Sequence, residues 1–318
     1  MGSTLIEARN VIKKYGAVTA LDDFTVDIPE GKIGILGPNG AGKSTFVKIA
    51  LGLIRTTSGS ITVLGEDLDR NTVDIRRKIG YMPEHDCIPN SMTGVEFLIE
   101  MGLVSGMSLQ SATQRTHEIL GHLQMGEEKY RKIEEYSGGM RQKIKLAQGL
   151  IHGPEVIFLD EPTSGLDPKA RQEMLETING LTEVSGTNVL LSTHILQDVE
   201  TVCDYVIIVN NGKLQMQENV KKLMQRQTDV IQVRIGGSTE DFVKHLKKSG
   251  ITATSGSRGL HVPYVNDKTF EQIVDSAVKS NCQLYEMERA TITMDNVYLE
   301  LSLIHISEPT RRTPIAYA

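Results

Sequence analysis

The sequence contains no apolar run that is long enough to cross a membrane. A transmembrane helix needs about 20 consecutive apolar residues, whereas the two best runs, residues 156–159 and 205–209, are short and bounded by charged or turn residues. Such runs are typical of buried strands. Residues 1–9 also lack the basic head and apolar stretch of a signal peptide. We therefore expect a cytoplasmic protein that could serve a membrane only through another chain.

The sequence also has few cysteines and no excess of positive charge. The three cysteines, Cys87, Cys203 and Cys282, have no metal-binding spacing, a pattern that predicts reduced thiols and argues against a disulfide framework. The formal net charge is -6, so no overall basic field favours nucleic acid, and no nucleic-acid partner is expected. With 318 residues, of which 39% are hydrophobic, the chain can form one large domain and a smaller one.

Strands and helices alternate along the first two thirds of the chain. Residues 5–14 and 18–28 alternate apolar and polar side chains, as half-buried strands do. Further strands are predicted at residues 32–36, 156–160, 188–192 and 205–209, and helices at 43–53, 140–151, 169–181 and 195–202. This order predicts an α/β fold, with a mostly parallel sheet covered by helices. The stretch 92–125 is helical in pattern, within an expected helical subdomain at about residues 85–152.

The last third has a different order of elements. Between residues 229 and 289 the pattern is strand, helix, strand, strand, helix, strand, which is the order of a small α+β ferredoxin-like domain. We assign residues 1–227 to the first domain and 228–302 to the second, which would end with a short helix at 294–301. Residues 303–318 have no apolar period, and we expect a disordered or non-native tail without function.

A glycine-rich segment between the strand at 32–36 and the helix at 43 matches the motif G-x-x-x-x-G-K-[ST]. Successive backbone N–H groups and the helix N-terminus would bind phosphate oxygens. Lys43 would reach the β and γ phosphates, and the Ser44 hydroxyl would ligate Mg²⁺. The residues predicted to bind nucleotide here are Gly37, Asn39, Gly40, Ala41, Gly42, Lys43, Ser44 and Thr45.

Two acidic residues, Asp160 and Glu161, stand at the carboxyl end of the strand predicted at 156–160. Parallel strands present polar residues at their carboxyl ends, where α/β sheets bind ligands. Asp160 would hold Mg²⁺ together with Ser44, because this ion keeps several waters and needs few carboxylates. Glu161 would act as the general base or orient the attacking water. Solvated acids at a strand end are the alternative, but they do not explain the phosphate motif upstream.

Residues 136–143, Tyr-Ser-Gly-Gly-Met-Arg-Gln-Lys, lie shortly before this strand. They resemble the signature of ABC ATPases, usually Leu-Ser-Gly-Gly-Gln, and depart from it at Tyr136 and Met140. The resemblance implies a P-loop ABC-type nucleotide-binding domain. It also implies that Ser137, Gly138 and Gly139 close on the γ-phosphate held by a partner subunit. Hydrolysis would then need a head-to-tail dimer with two composite sites.

The same resemblance assigns four further positions. Tyr15 matches the aromatic residue that stacks on adenine, although a Tyr at a strand end could also cover core. Residues 164–167, Ser-Gly-Leu-Asp, match the loop that links the two composite sites, and His194 matches the switch histidine that contacts the γ-phosphate. Glu84 stands where the family usually has Gln. It could ligate Mg²⁺ directly or through water, or it could be a solvated loop residue.

The resemblance implies a subunit that binds and hydrolyses ATP with Mg²⁺, as a homodimer or a heterodimer with another ABC ATPase subunit. It would drive export through separate transmembrane permease subunits at the inner face of the cell membrane. The expected docking surface lies near residues 87–104. The alternatives are a soluble ABC ATPase that remodels a non-membrane partner and a nucleotide-gated module without turnover. The single phosphate motif and lack of heptads argue against the first, and Glu161 with His194 argues against the second.

Overall fold

The computed structural model describes residues 4–85, 87–225, 227–256 and 259–291. Contacts divide the chain into two compact units, of which the first extends to Val220 and the second begins at Lys221. The domain boundary predicted after residue 227 remains a prediction. The helix predicted at 294–301 and the tail at 303–318 lie outside the described residues.

The first unit contains strands and helices in alternation, as the sequence predicts. Its strands are β1 (Thr4–Tyr15), β2 (Val18–Pro29), β3 (Lys32–Leu36), β4 (Ser58–Val63), β5 (Glu66–Asp67), β6 (Ile79–Met82), β7 (Val156–Asp160), β8 (Asn188–Thr193), β9 (Tyr205–Asn210) and β10 (Lys213–Asn219). Its helices are α1 (Lys43–Ala50), α2 (Leu68–Arg77), α3 (Gly94–Val104), α4 (Leu109–His122), α5 (Gly138–Leu150), α6 (Pro168–Ser185) and α7 (Leu196–Val202). The helix α8 (Val220–Gln225) spans the division between the units.

Two sheets form in the described part of this unit. An antiparallel sheet has the order β2-β1-β4-β5, and a second sheet has the order β10-β9-β3-β8-β7-β6. In the second sheet all neighbouring pairs from β9 to β6 are parallel, and only β10 runs antiparallel to β9. The parallel strands therefore end at one edge, and β3, β6, β7 and β8 bring the predicted site residues to it.

The core of the first unit joins both sheets to α1. Phe24 of β2 and Phe46 of α1 are fully buried, with ring centroids 5.0 Å apart. All five residues of β7 are buried, as expected for a strand covered on both faces. The helix α5 lies so close to β6 that a Cβ atom at Gly80 would be 2.2 Å from the carbonyl oxygen of Gly149.

Two local features differ from the sequence-based expectation. The helical pattern at 92–125 forms two helices, α3 and α4, because the chain turns at Gly106, which has a φ of 89°. Thr93 caps α3 in a capping box with Glu96. The elements β4, β5 and α2 were not predicted, since α2 has only two buried residues, Leu68 and Ile75, and thus little apolar period.

The second unit has the predicted order strand, helix, strand, strand, helix, strand. Its elements are β11 (Gln227–Gly236), α9 (Thr239–Lys248), β12 (Thr254–Gly256), β13 (Gly259–Pro263), α10 (Lys268–Lys279) and β14 (Gln283–Thr291). The strands form an antiparallel sheet in the order β12-β13-β11-β14. Both helices contribute to one buried cluster with the sheet, including Ile231, Phe242, Leu246, Val262 and Ile273. Among the described residues of the chain, no helix has the length and apolar character to span a membrane.

Candidate functional site

The turn between β3 and α1 depends on glycine. Gly40 and Gly42 have φ values of 80° and 106°, in the left-handed region that favours glycine. A Cβ atom at Gly37 would lie 2.3 Å from the carbonyl oxygen of Val209, so the chain passes here only without a side chain. Gly42 is also the N-cap of α1 and makes no side-chain capping hydrogen bond. The first turn of α1 therefore has no side chain bonded over its N–H groups.

Lys43 is the first residue of α1 and is buried. Its Nζ atom donates hydrogen bonds to the carbonyl oxygens of Gly37, at 2.7 Å, and Pro38, at 3.2 Å. Burial lowers the pKa of Lys43, although the nearby carboxylates of Glu161, Asp160 and Glu84 act in the opposite direction. The free site thus holds a cation that lacks full compensation and that a phosphate group would stabilise.

Asp160 and Glu161 stand at the carboxyl end of β7, and both are buried. Burial raises the pKa of Asp160. The Ser192 hydroxyl and the Lys43 ammonium act in the opposite direction, and the neighbouring carboxylates of Glu84 and Glu161 raise the pKa further. The Oδ1 atom of Asp160 has no hydrogen-bond partner in the described part of the chain. Ser44 and Glu84 line the cleft at this edge of the sheet. A buried carboxylate oxygen without a donor, near a hydroxyl and a second carboxylate, fits the oxygen ligands that Mg²⁺ prefers.

Glu161 is held from two sides at the ends of β7 and β8. Its backbone has a φ of 50°, a left-handed conformation that is unusual for a residue other than glycine, and its N–H donates to the Ser192 carbonyl oxygen at 2.9 Å. The Nδ1 atom of His194 lies 2.9 Å from Oε1 and 3.0 Å from Oε2 of Glu161. His194 itself is about half exposed. A buried carboxylate is thus fixed beside an accessible imidazole.

The cleft at this edge has a volume of about 580 Å³ and collects most of the predicted residues. Tyr15, at the end of β1, lies on its wall with a half-exposed ring, and the Lys13 Nζ atom is 5.0 Å from the ring centroid. The other predicted residues in the lining are Asn39, Gly40, Ala41, Gly42, Lys43, Ser44, Thr45, Glu84, Glu161 and His194. Lining residues that the sequence did not assign to the site are Pro38, inside the glycine-rich segment, and Val18, Thr19 and Ala20. The signal for the last three was their position in the hairpin after Tyr15.

Five predicted residues are not part of this lining: Gly37, Asp160, Ser137, Gly138 and Gly139. Gly37 still reaches the site through its bond to Lys43, and Asp160 is buried at the end of β7. The signature residues are different, because Ser137 and Gly138 are exposed at the start of α5. The Ser137 Oγ atom caps this helix by accepting a hydrogen bond from the Met140 N–H at 3.3 Å.

Two contacts near the signature were not predicted from sequence. The hydroxyl of Tyr136, a residue that departs from the usual Leu, accepts a hydrogen bond from the Gly94 N–H at 3.3 Å. Lys145 is buried in α5 and donates to the Glu84 carbonyl oxygen at 2.7 Å. These partners are far apart along the chain, so no local pattern indicates them. They attach α5, which begins at the signature, to the start of α3 and to the Glu84 loop.

Comparison with known proteins relates this chain to one family. Residues 21–164 match the family model described as ABC transporter. The chain is 32% identical over 302 residues to the uncharacterized ABC transporter ATP-binding protein YxlF of Bacillus subtilis, covering 93% of this chain and 99% of that protein. It is 31% identical over 309 residues to the daunorubicin resistance ATP-binding protein DrrA3 of Streptomyces coeruleorubidus, covering 95% and 97%.

Two further similarities concern transport and the catalytic state. The linearmycin resistance ATP-binding protein LnrL of Bacillus subtilis is 33% identical over 270 residues, covering 85% of this chain and 83% of that protein. A solved ATP-binding cassette, a dimer in a post-hydrolysis state with ADP and Pi bound, superposes with a TM-score of 0.61 at 26% identity. The superposition covers 68% of this chain and 98% of that one.

Proposed function

Since the chain belongs to the family of ABC transporter ATP-binding proteins, we propose that it drives export of a substrate through separate transmembrane permease subunits. The chain is an ATPase with a P-loop fold, and it is an ATP-binding subunit of an ABC transporter. The resistance proteins among its relatives support the export direction. In this role the protein would lie at the inner face of the cell membrane, bound to its permease.

The observation that carries the proposal is the separation of the two segments that we expect to bind phosphate. Lys43 and the turn before it form a recessed cleft with Glu161 and His194, while Ser137 is exposed at the start of another helix and outside that cleft. A second copy, or a related ATPase subunit, could place its Ser137 over the bound γ-phosphate. Two copies in head-to-tail contact would then form two composite sites.

In hydrolysis a water oxygen forms a bond to the γ-phosphorus while the bond to the ADP oxygen breaks. Glu161 would accept the proton of this water, and the Nδ1 atom of His194, 2.9 and 3.0 Å from the two carboxylate oxygens, would hold the carboxylate in position. Lys43 would exchange its carbonyl partners for phosphate oxygens. Ser44, Asp160 and Glu84 would hold Mg²⁺, which when bound neutralises part of the phosphate charge.

Attachment to the permease would use the helical part of the first unit. Val104 at the end of α3 is 79% exposed, and Leu109 at the start of α4 is 62% exposed. Two large apolar side chains on adjoining helix ends support a protein contact there. Val104 is the last residue of the segment 87–104 that we expect from the sequence to dock the membrane subunits, and Leu109 follows shortly after it.

The substitution Glu161→Gln tests the catalytic part of the proposal. It keeps the size of the side chain but removes the proton acceptor, so we expect ATP-dependent dimers to accumulate while turnover falls by about 10²-fold or more. Light scattering with ATP and Mg²⁺ and a phosphate-release assay measure the two effects. Glu155→Gln, at an exposed position before β7, is the matched control. Turnover of Glu161→Gln at the parental rate would show that the assignment of the base is wrong.

The transport part needs a membrane partner. If a multi-span membrane protein is encoded beside this chain, we expect it, once co-expressed, to bind the chain in detergent and to raise its ATPase rate. Substitution of Val104 and Leu109 by Ser should weaken that complex without changing the ATPase rate of the isolated chain. If the neighbouring protein neither binds nor stimulates it, and a soluble assembly does, a remodelling ATPase replaces this proposal.

A further inference from the structure

Asp198 has no solvent-exposed surface, although its side chain is a carboxylate. It lies in α7, four residues after His194, and both of its oxygens are bonded. Oδ2 accepts a hydrogen bond from the Thr163 hydroxyl at 2.5 Å. Oδ1 accepts from the Nε and Nη2 atoms of Arg171, at 2.8 and 2.7 Å. A buried carboxylate with charge-assisted partners of this kind holds its neighbours in one geometry.

The two residues that bond to Asp198, Thr163 and Arg171, lie on either side of a short exposed loop at 164–167. Thr163 is buried and follows Glu161 by two residues, whereas Ser164, Gly165 and Asp167 are exposed. The loop ends where Asp167 caps α6, its Oδ1 atom accepting from the backbone N–H groups of Lys169 and Ala170. Arg171 then follows in the first turn of α6. The loop at 164–167 is therefore fixed at its start and just beyond its end to a single side chain.

The backbone of Asp198 is bonded next to the histidine. The Asp198 N–H donates to the Ile195 carbonyl oxygen at 3.2 Å, so the start of α7 is closed directly after His194. On the other side, Glu161 contacts His194 and precedes Thr163 by two residues. A displacement of the loop would thus be transmitted along two short routes to the pair that faces the cleft.

We propose that Asp198 is a positioning residue that couples the exposed loop at 164–167 to Glu161 and His194. The inference rests on the proposed function, because it takes the loop to meet a partner subunit in the dimer. Contact with the partner would then set the geometry of the catalytic pair in this copy. The two sites of a dimer would hydrolyse ATP in a coordinated way.

The test compares Thr163→Val with Thr163→Ser. Valine has nearly the size of threonine but cannot donate to Asp198, whereas serine can. We expect Thr163→Val to lower kcat about tenfold, with KM for ATP within about twofold, since a hydrogen bond to a charged group is lost. The Hill coefficient for ATP should fall toward that of independent sites. Thr163→Ser should retain parental values of both.

Thr187→Val is the matched control in the same unit. Thr187 is also buried, and its hydroxyl donates to the Pro154 carbonyl oxygen at 3.2 Å, away from the cleft. We expect this variant to lose thermal stability but to keep the kcat and the Hill coefficient. Adding Asp198→Asn to Thr163→Val should lower kcat much less than the product of the two single effects, because both act through one contact.

Three outcomes would overturn the coupling: equal kcat in Thr163→Val and Thr163→Ser, equal kcat in Thr163→Val and Thr187→Val, or an unchanged Hill coefficient. Thr163→Val and Thr163→Ser suffice for this decision even if Asp198→Asn does not fold. Failure of the proposed function is distinguished by Glu161→Gln. Full turnover of that variant removes the catalytic assignment, whatever Thr163→Val does.

Discussion

The helices α1 and α5 both begin with a glycine-rich turn, but their first turns are arranged in opposite ways. At α1 the N-cap is Gly42, which makes no side-chain hydrogen bond, and Lys43 is buried against the turn. At α5 the N-cap is Ser137, whose hydroxyl accepts from the Met140 N–H, and Ser137 and Gly138 are exposed.

This difference assigns distinct tasks to the two helix ends. The first turn of α1 is recessed beside a buried cation, so a phosphate would meet preorganised donors there with little competing water. The first turn of α5 is capped and solvated, and it presents no cation of its own within the cleft. We infer that affinity for ATP resides mainly at α1, whereas α5 contributes when a second copy closes over the nucleotide.

The largest expected effect comes from removing the buried cation. Lys43→Ala should lower turnover by about 10²–10³-fold, comparable to the loss of a preorganised donor in other active sites, and should weaken ATP binding. Fluorescent-nucleotide titration and phosphate release measure these changes. Lys48→Ala, at an exposed position of the same helix, should match the parent. Equal ATP affinity in the two variants would contradict the task assigned to α1.

A negative charge at the N-cap of α5 tests the role of that helix end without unfolding the helix. Aspartate and asparagine are both good N-caps, so Ser137→Asp and Ser137→Asn should fold alike. Only the aspartate would repel a γ-phosphate. We expect Ser137→Asp to bind ATP at α1 as tightly as the parent but to lose turnover, and Ser137→Asn to retain a measurable rate.

Mixing Ser137→Asp with Lys43→Ala then tests the head-to-tail geometry. In a mixed dimer one composite site combines both defects and the other has neither. Equal amounts should restore up to about one quarter of parental turnover, because half of the dimers are mixed and each holds one intact site. A mixture no more active than its two components measured separately would contradict the composite site.

Features that depend on neighbouring residues could be predicted from this sequence, whereas features that depend on contacts between distant segments could not. The turn at 37–45, the end of β7 and the start of α5 were predictable because spacing in a few consecutive residues encodes each of them. The segment at 58–77 was not, because β4 has a glycine and two serines and α2 buries only Leu68 and Ile75. Contacts such as Tyr136 with Gly94 depend on packing between distant segments, which a single sequence does not specify.

The smallest expected effect concerns the stability of the free protein. Burial raises the pKa of Asp160 above its unfolded-state value, so the folded chain binds the proton more tightly than the unfolded chain. Stability therefore falls as the pH rises from the ordinary aspartate range, about 4, through the raised pKa. Asp160→Asn removes this loss, and at neutral pH without Mg²⁺ we expect its Tm to rise by about 2–4 °C, which corresponds to about 1 kcal/mol.

The same substitution should also lower turnover, because the amide is a weaker ligand for Mg²⁺ than the carboxylate. The gain in stability should shrink as the pH falls below the ordinary aspartate pKa, where both proteins carry an uncharged group. Asp74→Asn, on the exposed part of α2, should leave Tm nearly unchanged at every pH. If Asp160→Asn were less stable than the parent in EDTA at neutral pH, the carboxylate would be compensated in the free protein, and the unbonded Oδ1 atom would no longer argue for a metal. If Asp160→Asn raises Tm only above the ordinary aspartate pKa and also lowers turnover, then the charged carboxylate of Asp160 destabilises the free protein and is needed for Mg²⁺ binding.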